Sequence, residues 1–320
     1  MRAYFLQGTQ TETKLEQREV PTPQAGPGQL LVRVRAASLN RGELIRGPVG
    51  LTKPGPAKPG GSDGAGEVDG SGARVMGRLP GAFAEYALME AKDSIPVPAN
   101  LSWEEAAAVP ITFLVVYDML VQQGNLKAGE WLLITGVSSG VGVAALLAAK
   151  AIGARVIGTS GSSSKLESLK KHGLDVAIQT RNPDFSKKVL EVTDGKGVNL
   201  VVNNVGGSVF AETIRCLGYE GRHATVGYLD GQLKAEIDIE ALHSKRLKLF
   251  GVSNKLRNAE QRGVTVQGFT RDWLPLFASG KLKPLIEKVY DFKDLPEAKA
   301  RMESDAHLGK MVIRLSSPKL

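Results

Sequence analysis

The 320-residue sequence has one cysteine, four histidines and an aromatic share of only 6%. Cys216 alone can form no internal disulfide and can anchor no thiolate metal cluster. It falls within 210–217, a segment of helical spacing, which marks it as a small buried hydrophobe. His172, His223, His243 and His307 lie in unrelated segments, so no local imidazole pair is available to a metal. No apolar run reaches the roughly 20 residues that span a bilayer, and the opening ten residues lack the apolar stretch of a secretory signal. The expectation is a cytoplasmic protein without a membrane partner. The net charge is +8 and the isoelectric point 9.4, yet no basic run is longer than Lys170-Lys171 or Lys187-Lys188. With aromatics sparse and no Arg/Gly-rich tract, nucleic acid is not the expected partner, and scattered basic residues suit an anionic small molecule.

A hydrophobic share of 42% and a charged share of 23% belong to an ordinary globular chain, and 320 residues exceed one typical core. Two domains are therefore expected. The first stretch reads as β-rich: in Leu31–Ala36 the side chains of Val32, Val34 and Ala36 alternate with Arg33 and Arg35. Glycines and prolines crowd 47–81, and alternation resumes over 82–87. Ser102 and Glu105 form a capping box at the start of an Ala-rich helix that Pro110 ends or restarts, with a second helix over 112–122. From Gly129 strands and helices alternate, with strands predicted at 131–135, 154–159, 175–178, 198–203, 222–227 and 245–251. Helices are predicted at 141–152, 163–172, 184–192, 209–217 and 236–243. This β-α alternation implies a doubly wound parallel sheet. The tail reads as helix (268–279), strand (286–291), helix (294–304) and strand (310–315), too short for a core of its own and expected to pack on the N-terminal region.

The densest chemistry lies in Trp131–Gly142, where an apolar strand enters a turn holding Gly136, Gly140 and Gly142 and an apolar helix follows. Strand, Gly-rich turn and helix N-terminus together present backbone N–H groups to a phosphate. Gly136 permits the turn, Gly140 lets the backbone approach a pyrophosphate, and Gly142 lets the helix pack on the sheet; Ser138, Ser139 and Val141 complete the cradle. The same residues match the short-chain dehydrogenase fingerprint, but those enzymes need a Tyr-x-x-x-Lys pair. None of the six tyrosines has lysine four positions on.

Several motifs spread over nearly the whole chain carry a more specific resemblance. They are 37–43 (Ala-Ser-Leu-Asn-Arg-Gly-Glu), 61–68 (Gly-Ser-Asp-Gly-Ala-Gly-Glu-Val), 74–77, 81–86, the Gly-rich turn, 203–207 (Asn-Asn-Val-Gly-Gly) and 307–312. Together they resemble the medium-chain dehydrogenase/reductase superfamily, in its zinc-free quinone-oxidoreductase branch. The resemblance implies an α/β protein with a GroES-like β-rich catalytic domain built from 1–118 and 254–320 and a Rossmann NADP-binding domain over 119–253. It also implies a homodimer joined through edge strands. The alcohol-dehydrogenase branch holds catalytic zinc at positions that here carry Asn40, Ser62 and Asp63, and the structural-zinc cysteine quartet is missing. Zinc needs about three ligands drawn from Cys, His and carboxylate, so no metal is expected.

The segment after the second Rossmann strand chooses the nicotinamide cofactor. It reads Gly158-Thr159-Ser160-Gly161-Ser162-Ser163-Ser164-Lys165, with no acid to hydrogen-bond a ribose or repel a 2′-phosphate. Hydroxyls and Lys165, with Arg181 beyond the next strand, point to NADPH; Thr180 stands where the family often has tyrosine. By resemblance, Asn204, Val205, Gly227 and Tyr228 also border the cofactor, and the backbone of Gly251, Val252 and Ser253 reads the carboxamide. Lys310, after a turn glycine, is expected to approach the cofactor too. The catalytic candidates are Asn40, as a donor to a carbonyl oxygen, and Tyr228 at the pocket; Glu43 is read as structural, pairing with Arg46. Without a metal, quinones and α,β-unsaturated carbonyls are the fitting small-molecule acceptors, because conjugation spreads the developing charge. The alternatives are enoyl-thioester reduction and an NADPH-binding protein without turnover.

Overall fold

The computed structural model describes residues 1–45 and 54–315, which leaves Arg46 outside the described residues. Two compact units divide the chain: Met1–Leu114 with the segment from Arg257 onward, and Val115–Leu256. The first unit opens with β1 (Arg2–Gly8), β2 (Thr13–Glu19), β3 (Gln29–Ser38) and the single turn α1 (Arg41–Leu44). Strands β4 (Lys58–Pro59), β5 (Asp63–Val68), β6 (Arg74–Arg78), β7 (Tyr86–Glu90) and β8 (Ser94–Pro96) follow. Next come α2 (Trp103–Ala107) and α3 (Pro110–Tyr117). The capping box forms at α2: Ser102 Oγ accepts from Glu105 N at 3.1 Å and the Glu105 carboxylate accepts from Ser102 N at 2.9 Å. Pro110 begins a new helix, where its missing N–H costs nothing.

The second unit alternates strand and helix: β9 (Trp131–Thr135), α4 (Gly140–Ile152), β10 (Arg155–Ser160), α5 (Ser163–Lys170), β11 (Val176–Gln179) and α6 (Ser186–Val192). It continues with β12 (Val198–Asn203), α7 (Phe210–Arg215), β13 (Leu217–Thr225), α8 (Ile239–Ser244) and β14 (Lys248–Gly251). All six strands pair in parallel in the order β11-β10-β9-β12-β13-β14. The order reverses between β9 and β12, the switch point at which open α/β sheets bind ligands. Leu133, Ile157, Val198, Val201 and Ile214 fill the core with Cys216, whose thiol is fully buried and driven upward in pKa by desolvation. The strand predicted at 222–227 begins earlier, at Leu217, because a register shift opposite Val198–Leu200 lets the two strands stay paired.

The chain then supplies α9 (Ala259–Asp272), α10 (Leu274–Ala278), β15 (Ile286–Asp291), α11 (Leu295–Glu303) and β16 (Lys310–Arg314) to the first unit. Its main sheet runs β15-β16-β3-β5-β6-β8 with β7 on β3, and a smaller sheet runs β2-β1-β4. Val32, Val34 and Ala36 of β3 are buried, as the alternation requires. Over 82–87 only Tyr86 and Ala87 enter a strand; Ala82, Phe83 and Ala84 are all buried, and Ala84 makes a single bridge to Ala3. The tail helix starts earlier than 268, at an Asn258–Gln261 capping box, and is interrupted at Trp273 ahead of Pro275.

Candidate active site

The Gly-rich turn closes tightly between β9 and α4. Gly136 takes φ 62°, a conformation that side chains resist. Ser139 caps α4, its Oγ accepting from Gly142 N at 3.1 Å. A Cβ on Gly142 would lie 2.6 Å from Gly136 O, so glycine alone allows α4 to start this close to the strand. Gly140 and Val141 open the helix, whose free N–H groups and dipole favour an anion. Ser138 Oγ and Ser160 Oγ are 3.1 Å apart, which links the turn to the end of β10.

The end of β10 leads into a serine-rich turn. Ser162 N donates to Ser160 Oγ at 3.3 Å, and Ser162 Oγ caps α5 by accepting from Lys165 N at 3.4 Å. The exposed Arg181 lays its guanidinium over Gly161, where any Cβ would collide with it. Thr180 binds Asp184 Oδ1 at 2.7 Å through its hydroxyl and so serves its own turn. This corner therefore gathers three serines, a lysine backbone turn and a guanidinium, with no carboxylate among residues 158–165.

Across the switch point, Thr135 Oγ1 donates to Asn203 Oδ1 at 3.1 Å and Asn204 Nδ2 donates to Thr135 O at 2.9 Å. Asn203 Oδ1 also accepts from Val205 N and Gly206 N, each at 3.0 Å, which holds the loop after β12. Gly227 N donates to Asn203 O at 3.3 Å, and a Cβ there would lie 2.9 Å from Asn204 O. Asp230 accepts from Ser208 N at 2.7 Å and Gln232 N at 2.9 Å, tying the loop after β13 to its neighbour. Tyr228 sits in that loop, 44% exposed. Gly251 O accepts from Gln123 Nε2 at 3.3 Å, Val252 N donates to Thr225 O at 3.0 Å, and Ser253 Oγ accepts from Lys255 N at 3.2 Å. All these candidates thus line the carboxyl ends of strands in one sheet. The Thr135–Asn203 clamp and Asp230 were not singled out by sequence reasoning; their partners are more than twenty residues distant in all but one case, which no local pattern reveals.

The first unit holds a second polar cluster, joining α1, the start of β5 and the start of β16. Asp63 is fully buried and accepts from Ser38 Oγ at 2.9 Å, Asn40 Nδ2 at 2.7 Å and Ile111 N at 3.1 Å. Lys310, only 5% exposed, donates from Nζ to Leu39 O at 3.0 Å and Asn40 Oδ1 at 2.9 Å. Glu43 accepts from Asn40 Nδ2 at 3.4 Å and from the Ser62 hydroxyl. Burial pushes the Glu43 carboxyl up to about 7, with the Ser62 hydrogen bond opposing and the Asp63 charge adding to the rise. Burial likewise raises Asp63 and lowers Lys310, each against the attraction of the other.

This cluster bears on three expectations. Asn40 is not available as a donor to a substrate carbonyl, since its amide hydrogens go to Asp63 and Glu43 and its oxygen to Lys310. Lys310 points its ammonium into the same cluster, fixed by Leu39 and Asn40, where sequence reasoning had it approaching the cofactor. Glu43, read as a structural partner of Arg46, is joined to Ser62 and Asn40, and Arg46 itself lies outside the described residues. Zinc does not fit this donor set: an amide, a hydroxyl and a carboxylate already saturated by three donors surround an ammonium. Among the described residues no three of His, Cys, Asp and Glu come together as a metal site.

The sequence profile of the family described as "Zinc-binding dehydrogenase" matches residues 140–265. A phenolphthiocerol/phthiocerol polyketide synthase subunit of Mycobacterium tuberculosis is 32% identical over 90% of this chain, and the chain spans only 14% of that protein's length. A zinc-type alcohol dehydrogenase-like protein of Schizosaccharomyces pombe is 29% identical, with 95% of each chain covered. The quinone oxidoreductase of Thermus thermophilus, solved also as its complex with NADPH, superposes with a TM-score of 0.83 at 27% identity, covering 98% of this chain and 100% of that one. The chain belongs to the medium-chain dehydrogenase/reductase superfamily of oxidoreductases, in its zinc-free quinone-oxidoreductase branch.

Proposed function

We propose that the protein is an NADPH-dependent, zinc-independent reductase that passes hydride to a quinone or an α,β-unsaturated carbonyl. The observation that carries this reading is the end of β10, where Arg181 covers Gly161 beside Ser160 and Ser162 and residues 158–165 hold no acid. In this reading Gly136, Ser138, Ser139, Gly140, Val141 and Gly142 receive the pyrophosphate, and Ser160, Gly161, Ser162, Lys165 and Arg181 receive the 2′-phosphate. Asn204, Val205, Gly227, Tyr228, Gly251, Val252 and Ser253 border the nicotinamide half. The bound cofactor would supply hydride; the chain's residues orient it and exclude competing reactions.

Fluorescence titration with NADPH and NADH tests the cofactor, and at least tenfold tighter NADPH binding is expected, a margin of about 1.4 kcal/mol. Turnover with phenanthrenequinone, an alkenal and crotonyl-CoA tests the acceptor. Activity with the first two that survives a chelator supports the proposal, whereas loss of activity on chelation refutes zinc independence. The similarity to polyketide synthases favours a second reading, enoyl-thioester reduction, which predicts that crotonyl-CoA is the preferred acceptor. Tight NADPH binding with no acceptor reduced would identify a binding protein instead. A homodimer is proposed through β14, which ends the sheet and exposes Leu249; size-exclusion chromatography with light scattering tests it.

A further inference from the structure

We propose that Asp230 is a positioning residue for the nicotinamide half of the cofactor, fixing the loop that carries Tyr228 against the loop after β12. This deepens the reductase reading above and rests on it. Both loops belong to the second unit and follow neighbouring parallel strands of its sheet, β12 and β13. Tyr228 to Gly231 form a tight turn, in which Gly231 N donates to Tyr228 O at 3.0 Å and Gly231 takes φ 74°. Little apolar burial holds that turn in place: Tyr228 is 44% and Leu229 56% exposed, and Gln232 is exposed as well. Polar ties therefore decide where the loop sits.

The Asp230 carboxylate supplies those ties from both of its oxygens. Oδ2 reaches across to the neighbouring loop and accepts from Ser208 N at 2.7 Å, while Oδ1 accepts from Gln232 N at 2.9 Å within its own loop. One side chain thus couples the shape of the loop to its place, through charge-assisted bonds roughly twice as strong as neutral ones. The backbone adds Asp230 N to Val205 O at 3.0 Å and Gly207 N to Gln232 O at 3.1 Å. The neighbouring loop is shaped to receive the carboxylate: Gly206 takes φ 128°, and a Cβ there would run into it. A Cβ on Gly207 would likewise lie 2.8 Å from Gln232 O. Gly227, at the root of the loop, is placed by its bond to Asn203 O, so Tyr228 is the first residue beyond the sheet whose placement depends on Asp230. Without the carboxylate, Ser208 N and Gln232 N turn to water, and the loop must be ordered at the moment of binding. That cost falls on the part of the cofactor that the loop borders. In the reading above this is the nicotinamide half, whereas the 2′-phosphate meets the end of β10.

The test uses the full chain and three probes: NADPH, NADH and 2′,5′-ADP, which carries the phosphorylated adenosine ribose but no nicotinamide. Asp230→Ala is expected to raise the Kd of NADPH and NADH alike, by about tenfold, and to leave 2′,5′-ADP unchanged. Loss of Arg181 should do the reverse, striking only the ligands that bear the 2′-phosphate. Asp230→Asn keeps one acceptor oxygen and should show the same pattern with a smaller loss, about threefold, which guards against a folding defect in the alanine variant. Hydrogen exchange without any cofactor supplies a second readout. In Asp230→Ala the amides of 205–208 and 228–232 should exchange faster while those of β9 and β12 stay protected. Faster exchange across the whole sheet, or equal weakening of 2′,5′-ADP and NADPH in both variants, would show a role in stability alone and overturn the proposal. Unchanged dinucleotide affinity in a folded Asp230→Ala protein would overturn it too, leaving the reductase reading intact. A wild type that binds neither dinucleotide overturns that reading and the proposal with it.

Discussion

Removal of the Arg181 guanidinium is the sharpest perturbation of the cofactor corner. A charge-assisted hydrogen bond to a phosphate is worth about 1.5–3 kcal/mol when shielded. Arg181 is exposed, so screening by solvent and salt brings the expected loss toward the lower end, about 1.4 kcal/mol or tenfold in Kd. Arg181→Ala should therefore weaken NADPH about tenfold and hardly change NADH, which has no 2′-phosphate to contact. The geometry adds an internal control. A Cβ on Gly161 would strike the guanidinium and its Cγ, so Gly161→Ala must displace Arg181. It should cost NADPH affinity in the wild-type background and add little once Arg181 is already alanine, a coupling that a double-mutant cycle measures directly. Fluorescence titrations of both cofactors at two ionic strengths give all the quantities, and the NADPH advantage should shrink at high salt. Equal losses for the two cofactors in Arg181→Ala, or additive effects in the cycle, would refute the reasoning.

Three further outcomes concern stability. Gly142→Ala forces a methyl against Gly136 O and the Val137 backbone, and calorimetry should show a loss of about 1–3 kcal/mol together with weaker binding of both cofactors. Arg222 donates to Gly124 O, Asn125 O and Asn199 O and pairs with both Glu130 oxygens, at 12% exposure, so Arg222→Ala should destabilise the second unit by about 3 kcal/mol in denaturant titrations. Burial pushes His223 down to about 4 from an ordinary 6.5. Its native form is neutral, so the associated stability is complete above pH 6.5 and is lost progressively as pH falls toward 4. Acid unfolding of His223→Gln should be flatter across that window, and an unchanged profile would show that His223 does not report on folding.

The alternating strands and helices of the second unit were legible because most of its strands are short and apolar and because Ser139, Ser162 and Asp238 cap α4, α5 and α8. The phosphate turn was legible for the same reason: Gly136 to Gly142 act on one another across six residues. The polar cluster was not, because Asn40, Asp63 and Lys310 meet across separations of 23 and 270 residues. Sequence reasoning noticed each of them singly and assigned Asn40 and Lys310 outward roles; only their mutual saturation shows that they face one another. Glu43 was invisible as a titrating group, since an acid beside a basic residue reads as a surface pair until its burial and its partner Ser62 are known. The continuation of α3 as a π-helical turn over Asp118–Gln122 carries no proline or glycine signal inside it, and α9 began earlier than hydrophobic spacing suggested because its first turn is held by a cap and not by apolar contacts.

Strand β16 lies between β15 and β3, although nearly three hundred residues separate it from the start of β3. During synthesis the contiguous second unit can fold as soon as it leaves the ribosome, while Ala36–Ser38 of β3 wait with one flank bare and Asp63 lacks its cationic counterweight. Nascent chains stalled before Lys310 should accordingly be the species that chaperones retain, and any variant that slows docking of β16 should lower yield in cells well before it changes the melting temperature of the finished protein.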